Sequence, residues 1–348
     1  MKIALIAPPW LPVPPVGYGG TEIIVHHLTE GLVKRGHEVT LFASGDSKTS
    51  AKLVSVFPKA LGNSGEIKSD PLKPLLSYID CFERAGDFDV IHNHAQYYAM
   101  FLAGLVKTPV VHTLHGSFAK EYTPEGKILT LRRFKNNNFV SISNFQRNDM
   151  PDLNYIATVY NGIDTSEIEF SDKKGDYLFW MGRIAEKKGP VDAIKVAKKL
   201  GMRLKMAAVI DSNQEDYFEK EVKPLIDNKL IIFEGEVTRK EKSDLLKNAF
   251  CTLFPIHWEE PFGLVMAESM SGGTPVIAYD RGSVREIIRD KKTGFIVEEE
   301  KGIEGLVEAV KEIDKINRQE CRDYVEENFS VGKMVDGYEK VYSSLVGI

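Results

Sequence analysis

Short apolar runs recur along the chain, each followed by a polar turn and then by a stretch with helical spacing. In the first half the runs are KIALIA (2–7), EVTLFA (38–43), DVIHNH (89–94), PVVHTL (109–114), FVSIS (139–143) and IATVYN (156–161). Between the first two lies TEIIVHHLTEGLVKRG (21–36), whose apolar positions suit a helix and whose Gly36 suits its C-terminal stop. After the polar break DTSEIEFSDKKGD (164–176) the alternation resumes with YLFWMG (177–182), RLKMAAVI (203–210), LIIFEG (230–235), CTLFP (251–255) and TPVIAY (274–279). GPVDAIKVAKKLG (189–201) and KEKSDLLKNAF (240–250) are the helical stretches between them. Strands this apolar, joined by helical crossovers, predict parallel sheets covered on both faces. The expected class is therefore α/β, with two doubly wound domains over residues 1–165 and 166–330. A C-terminal helix over 331–348 is expected to follow, with the option of crossing back to the first domain.

Composition narrows this picture without changing it. A chain of 348 residues suits two domains of about 150–180 residues each. Its 43% apolar and 27% charged residues are those of an ordinary water-soluble protein. Cys81, Cys251 and Cys321 lie far apart and form no CxxC pair, so a reducing cytoplasm is the expected compartment. The opening MKIALIAPPW is too short for a signal segment, and no run approaches the roughly 18–20 apolar residues that span a bilayer. Residues 1–165 carry 16 Lys and Arg against 15 Asp and Glu, and the remainder 29 against 35. Neither half is basic enough to suggest nucleic acid. The locally basic KILTLRRFKNNN (127–138) reads as a solvated helix face or as a surface for a membrane or an anionic acceptor.

In doubly wound domains ligands bind at the carboxyl ends of parallel strands, so the loops that follow strands carry the candidate chemistry. After the first strand comes PPWLPVPPVGYGGTE, with glycines at 17, 19 and 20 and a helix opening near Thr21. A dinucleotide fingerprint needs a third glycine where Glu22 stands, so that reading fails. A turn with a cap and an anion-binding loop both remain open. After the first strand of the second domain comes MGRIAEKKGP. There Arg183 and Lys188, ahead of a helix starting near Pro190, suit a diphosphate, although such a run is equally a solvated turn.

The third loop is EEPFGLVMAESMSGG (259–273), with adjacent acids at its start and Glu268 farther on. On one continuous helix Glu260 and Glu268 would stand about 80° and about 12 Å apart. With Pro261 as first helical residue, Glu260 is the expected N-cap and Glu268 lies about two turns inside. The amides of Phe262, Gly263 and Leu264 then point at an anion, with Gly263 giving it room. A cap plus a surface charge is the alternative.

Taken together, these loops resemble the retaining glycosyltransferases of family 4, which have the GT-B fold. The matching pieces are GYGGTE, HTLHG (112–116), NGID (161–164), GRIAEKKG (182–189), FEGEV (233–237) and EPFGLVMAESMSGGTPVIA (260–278). They occur in the family's order across nearly the whole chain, and the seven residues between Glu260 and Glu268 are the family's hallmark. That spacing selects Glu260 and leaves Glu259 as an expected rim charge.

The resemblance implies two Rossmann-like domains facing across a cleft, and a hexose moved from a nucleotide diphosphate sugar to an acceptor hydroxyl. UDP-glucose is the first expectation and GDP-mannose the second; small molecules, lipids and glycans are all open as acceptors. It implies that Arg183 and Lys188 hold the diphosphate with Gly19 and Gly20, and that Glu268 takes the ribose hydroxyls. Glu260 with the Phe262–Leu264 backbone would hold sugar and phosphate, and the backbone at Glu236 and Val237 would meet the base. His115 would position the transferred sugar, while His94 and Tyr18 would belong to the acceptor side. His92 and His94 are taken to face opposite sides of their strand and so not to share a metal. The family is generally metal-independent, and DFD (87–89) leads into a strand, so no cofactor and no metal are expected. Membrane contact is expected to be peripheral at most, with no nucleic-acid partner. The competing readings are a GT-B sugar-nucleotide 2-epimerase, which lacks the glutamate pair, and a silent nucleotide-sugar binder.

Overall fold

A computed structural model describes residues 1–62, 72–95 and 97–348, which divide into two compact units. Unit 1 comprises Met1–Gly162 with Val331–Ile348, and unit 2 comprises Ile163–Ser330. The division falls at Gly162, three residues before the expected limit, and the last helix counts with unit 1.

Unit 1 is built on β1 (Lys2–Ile6), β2 (Glu38–Phe42), β3 (Lys52–Val54), β4 (Val90–Asn93), β5 (Val110–Thr113), β6 (Asn138–Ser141) and β7 (Tyr155–Thr158). They form one parallel sheet in the order β3-β2-β1-β4-β5-β6-β7. The order reverses direction beside β1, which is where a doubly wound sheet opens a crevice at its carboxyl edge. Ile3, Leu5, Val90, Ile91 and Val111 are fully or almost fully buried, as expected of strands covered on both faces. The covering helices are α1 (Gly20–Lys34), α2 (Leu72–Glu83), α3 (Ala99–Ala103) and α4 (Glu125–Arg133). In α1 the buried Ile24, Val25, Leu28 and Leu32 recur at helical spacing, and Gly36, at φ 84°, turns the chain out of the helix. In α4, Ile128 and Leu131 face inward while Arg132 and Arg133 stay exposed, so the basic 127–138 segment has a solvated face.

Unit 2 carries β8 (Tyr177–Arg183), β9 (Arg203–Val209), β10 (Ile231–Gly235), β11 (Cys251–Phe254), β12 (Val276–Tyr279) and β13 (Gly294–Val297). This second parallel sheet has the order β10-β9-β8-β11-β12-β13. Around it lie α5 (Pro190–Leu200), α6 (Arg239–Lys247), α7 (Leu264–Ser271), α8 (Val284–Ile287), α9 (Gly302–Glu312) and α10 (Arg318–Asn328). Two strands have no counterpart in the apolar pattern. β3 is a three-residue edge strand containing Lys52, and β13 begins on a glycine.

The last helix, α11 (Val331–Val346), packs on α1 in unit 1. Gly31 of α1 lies so close that an added Cβ would stand 2.5 Å from a Val335 methyl. Arg35 and His37 reach across to Asp336 and Glu339, with Arg35–Asp336 at 2.6 Å and His37–Glu339 at 2.8 Å. No helix among the described residues is long and apolar enough to cross a membrane.

Candidate active site

The candidate chemistry of unit 2 gathers at the carboxyl ends of β8, β10 and β11. Arg183 is the last residue of β8, and its guanidinium donates to Asp211 at 3.1 Å. The chain then makes a tight 3-10 turn, Glu186–Lys188, before Pro190 opens α5. The turn is fastened from both sides. Trp180 Nε1 donates to the Lys188 carbonyl at 3.1 Å, and the His257 amide donates to the Lys187 carbonyl at 2.8 Å.

β11 is the neighbour of β8, so its following loop meets that turn. Lys188 Nζ donates to Glu260 Oε2 at 2.5 Å, and Trp258 Nε1 donates to the same oxygen at 2.9 Å. The ammonium groups of Lys187 and Lys188 lie 4.2 Å and 4.6 Å from the Trp258 ring centroid, inside cation–π range. Burial pushes the Lys187 ammonium below the usual lysine value; repulsion from Lys188 and Arg183 adds to this, and Glu260 offsets part of it. Three cations are thus held at one strand end.

The helix after β11 starts later than its proline suggests. α7 begins at Leu264 with Gly263 as cap, so Pro261 is not the first helical residue and Glu260 is not the N-cap. Glu260 and Glu268 therefore do not bracket one helix, and Glu268 lies just over one turn inside α7. The reason is Gly263, whose backbone at φ 79° and ψ 67° is left-handed and breaks the helical run. A Cβ there would meet Met266 at 2.5 Å, so the turn depends on glycine. Among the described residues the amides of Gly263 and Leu264 make no hydrogen bond. Phe262 is an anchor: its ring meets Phe329 edge-on and its carbonyl accepts from Ser283 Oγ at 2.9 Å.

Glu268 projects from α7 and accepts from Lys242 of α6 at 2.8 Å. α6 starts immediately after Val237 with a capping box, in which Thr238 and Glu241 satisfy each other's amides. Glu236 and Val237 line a pocket of about 360 Å³ together with Tyr177 and Lys205; none of Arg183, Lys188, Glu260 and Glu268 lines it.

Glu259 is not a rim charge. Its carboxylate takes Arg281 Nη1 at 3.1 Å and the Gly282 amide at 2.8 Å, and Arg281 also binds Glu299. The Ser283 amide donates to the Glu260 carbonyl at 2.9 Å, so the 281–283 turn fixes the backbone that presents Glu260.

In unit 1 the remaining candidates lie at the carboxyl ends of β1, β4 and β5. Gly19 caps α1, and a Cβ on it would sit 2.7 Å from Pro15, which explains the glycine there. Gly20 opens the helix, and Tyr18 is exposed beside it. His94 and His115 lie just beyond β4 and β5, with His94 Nδ1 at 3.0 Å from His115 Nε2. His92 and His94 do not face opposite ways. Positions two apart share a strand face, and their ring centroids are 3.9 Å apart. His94 is almost fully buried, and both of its ring nitrogens are occupied by histidines. It stands behind His115 rather than offering an edge to an acceptor.

Trp258, Lys187, Lys242 and Asp211 also belong to the site and are not among the residues expected from sequence. Lys187 and Trp258 each lie within two residues of Lys188 or Glu260, and Lys242 follows the T-x-x-E capping signature at Thr238. Nothing in the local pattern points to Asp211.

Comparison with known proteins follows the same division. The family model for Glycosyltransferase Family 4 matches residues 18–167, and that for Glycosyl transferases group 1 matches residues 163–329. A phosphatidyl-myo-inositol mannosyltransferase of Mycobacterium leprae is 26% identical over 318 residues, covering 85% of this chain and 83% of the relative. The chain superposes on sucrose-phosphate synthase from Thermosynechococcus elongatus with a TM-score of 0.83 at 18% identity, covering 99% of each chain. An Anabaena protein solved in complex with UDP and glucose matches with a TM-score of 0.77 at 15% identity, over 99% of this chain and 100% of that one. Two parallel α/β units, matched in turn by these two models, make this chain a member of the GT4-type glycosyltransferases of the GT-B fold.

Proposed function

We propose that the protein is a retaining hexosyltransferase that takes a nucleotide diphosphate sugar, UDP-glucose first, and needs no metal for the transfer. The observation that carries this is the crowding of Arg183, Lys187 and Lys188 at the end of β8, beside the amides that open α7, where Lys188 and Arg183 repel the Lys187 ammonium even with Asp211 and Glu260 in place. A diphosphate relieves that repulsion, and the charge that grows on it as the sugar–phosphate bond breaks is stabilised by fixed cations. In this reading Glu268 binds ribose hydroxyls and Glu260 the sugar. The acceptor oxygen attacks the anomeric carbon on the face the phosphate leaves, and the leaving phosphate takes the acceptor's proton. The UDP and glucose bound by the Anabaena neighbour support the choice of donor.

The test is a thermal-shift and hydrolysis panel of UDP-, GDP- and ADP-sugars on the wild type and on Glu268→Ala. One nucleotide sugar is expected to raise the melting temperature and to be slowly hydrolysed, and Glu268→Ala to lose most of that shift. A panel with no stabilising member overturns the reading, and so does a shift unchanged in Glu268→Ala.

A further inference from the structure

A chain of buried side chains in unit 1 runs from His115 to the last helix. His115 Nε2 lies 3.0 Å from His94 Nδ1, and His94 Nε2 lies 3.2 Å from His92 Nδ1. The same His92 nitrogen is 2.6 Å from the Tyr342 hydroxyl, while His92 Nε2 is 2.8 Å from Thr113 Oγ1. Thr113 Oγ1 is in turn 3.2 Å from the Tyr338 hydroxyl. Among the described residues His115 Nδ1 makes no hydrogen bond.

Burial holds all three imidazoles neutral, with His115 pushed down to about 4, so each ring carries one proton. The network then assigns where those protons sit. Tyr342 is fully buried, and His92 Nδ1 is the one acceptor within its reach among the described residues, so its hydroxyl donates there. That leaves the His92 proton on Nε2, donated to Thr113. His94 Nε2 faces the same His92 lone pair; a second lone pair at that distance repels, so His94 Nε2 carries the hydrogen. His94 Nδ1 is therefore an acceptor, and His115 must donate to it from Nε2. His115 Nδ1 is left as a bare lone pair.

We propose that Tyr342, through His92 and His94, fixes His115 as the Nε2–H tautomer, so that Nδ1 acts as a hydrogen-bond acceptor for a ligand hydroxyl. The identity of that hydroxyl as one on the transferred sugar rests on the function proposed above. His94, His92 and Tyr342 are positioning residues: they touch no reacting atom and act by deciding which way His115 is polarised.

Long-range proton–nitrogen NMR on protein carrying nitrogen-15 histidine tests the proposal without any ligand. At pH 7 the His115 Nδ1 signal, assigned by its loss in His115→Gln, is expected at the pyridine-type position and Nε2 at the pyrrole-type position. Tyr342→Phe removes the donor that fixes His92. The Thr113 hydroxyl can then donate to His92 Nε2, the whole chain can reverse, and the His115 Nδ1 signal should shift toward the pyrrole type. A pyrrole-type Nδ1 in the wild type overturns the proposal, and that measurement stands even if Tyr342→Phe fails to fold. A folded Tyr342→Phe protein whose His115 signals do not move also overturns it. The outcome is separable from the proposed function: a protein that binds no nucleotide sugar but shows this tautomer sinks the functional reading alone.

Discussion

Lys188 Nζ stands 2.5 Å from Glu260 Oε2, with only 14% and 12% of the two side chains exposed. Removing one partner of such a pair leaves the other charge poorly solvated, and that penalty exceeds the net worth of the pair itself. Trp258 donates to the same oxygen but supplies no charge. Lys188→Met is therefore expected to destabilise the protein by about 1–3 kcal/mol, less than for a fully buried pair. Adding Glu260→Gln should recover at least ~1 kcal/mol of that loss. Urea unfolding of the two single variants and the double variant measures the coupling. Strict additivity would refute it.

The adjacent acids divide their work. Glu259 holds Arg281 and the Gly282 amide, so it ties the 281–283 turn to the loop that presents Glu260. Glu259→Ala is expected to lower stability by about 1–2 kcal/mol, the range for losing charged hydrogen bonds that remain partly solvated. On the function proposed above, its affinity for the donor nucleotide sugar, read by calorimetry, should stay near that of the wild type. Glu260→Ala should do the reverse in turnover, losing about 10²-fold or more if it aligns the sugar. If Glu259→Ala abolishes binding while remaining folded, the division is wrong.

Arg318 carries structure rather than chemistry. It is buried, and its guanidinium donates to the carbonyls of Ser171, Ala249 and Lys247 and to Thr274 Oγ1, at 2.6–3.0 Å. Its loss orphans backbone acceptors around the start of β11 and the loop before β12. Arg318→Met should destabilise by about 2–4 kcal/mol, the cost of several unsatisfied buried acceptors. Arg318→Lys should rescue little, since one ammonium cannot reproduce the planar fork. A loss below about 1 kcal/mol by urea unfolding contradicts this assignment.

Much of this architecture is legible in the sequence, for a physical reason. Central strands such as Ile3–Ile6 and Cys251–Phe254 are covered on both faces, so their apolar runs stand out, and Gly36 and Gly201 mark helix ends by their φ. Edge strands bury less and leave a weaker trace, which is why Lys52–Val54 and Gly294–Val297 are not visible in it. In the site, Arg183 and Lys188 stand out as cations in a loop that follows a strand, and Glu260 and Glu268 through the resemblance to the family's motif. Their partners are not: Asp211 meets Arg183 across 28 positions, and Lys188 meets Glu260 across 72. The start of α7 is not legible because Pro261 favours a helix start, while the left-handed backbone at Gly263, which decides where the helix runs, leaves no mark in the sequence beyond a glycine.

The network behind the 186–188 turn makes stability depend on pH. His257 bridges Asp192 at 3.0 Å and Glu299 at 2.7 Å, with the Tyr279 ring packed against it. The hydrogen bond to Asp192, then that to Glu299, raises the imidazole above its ordinary value against the opposing effect of burial. A raised folded value means that protonated His257 stabilises the fold fully below the unfolded value of about 6.5, and that this is lost as pH climbs through the folded one. Glu299 works in the other direction. Burial would raise its carboxyl, but the bonds from His257 and Arg281 outweigh burial and hold it low, so its contribution is lost as pH falls through that lowered value. Because His257 is 36% exposed, screening limits its share to about 0.5–1 kcal/mol. From pH 6 to 9 the wild type should therefore lose more stability than His257→Gln, whose neutral amide does not titrate. Parallel stability curves for the two proteins would show that His257 is not the group that titrates.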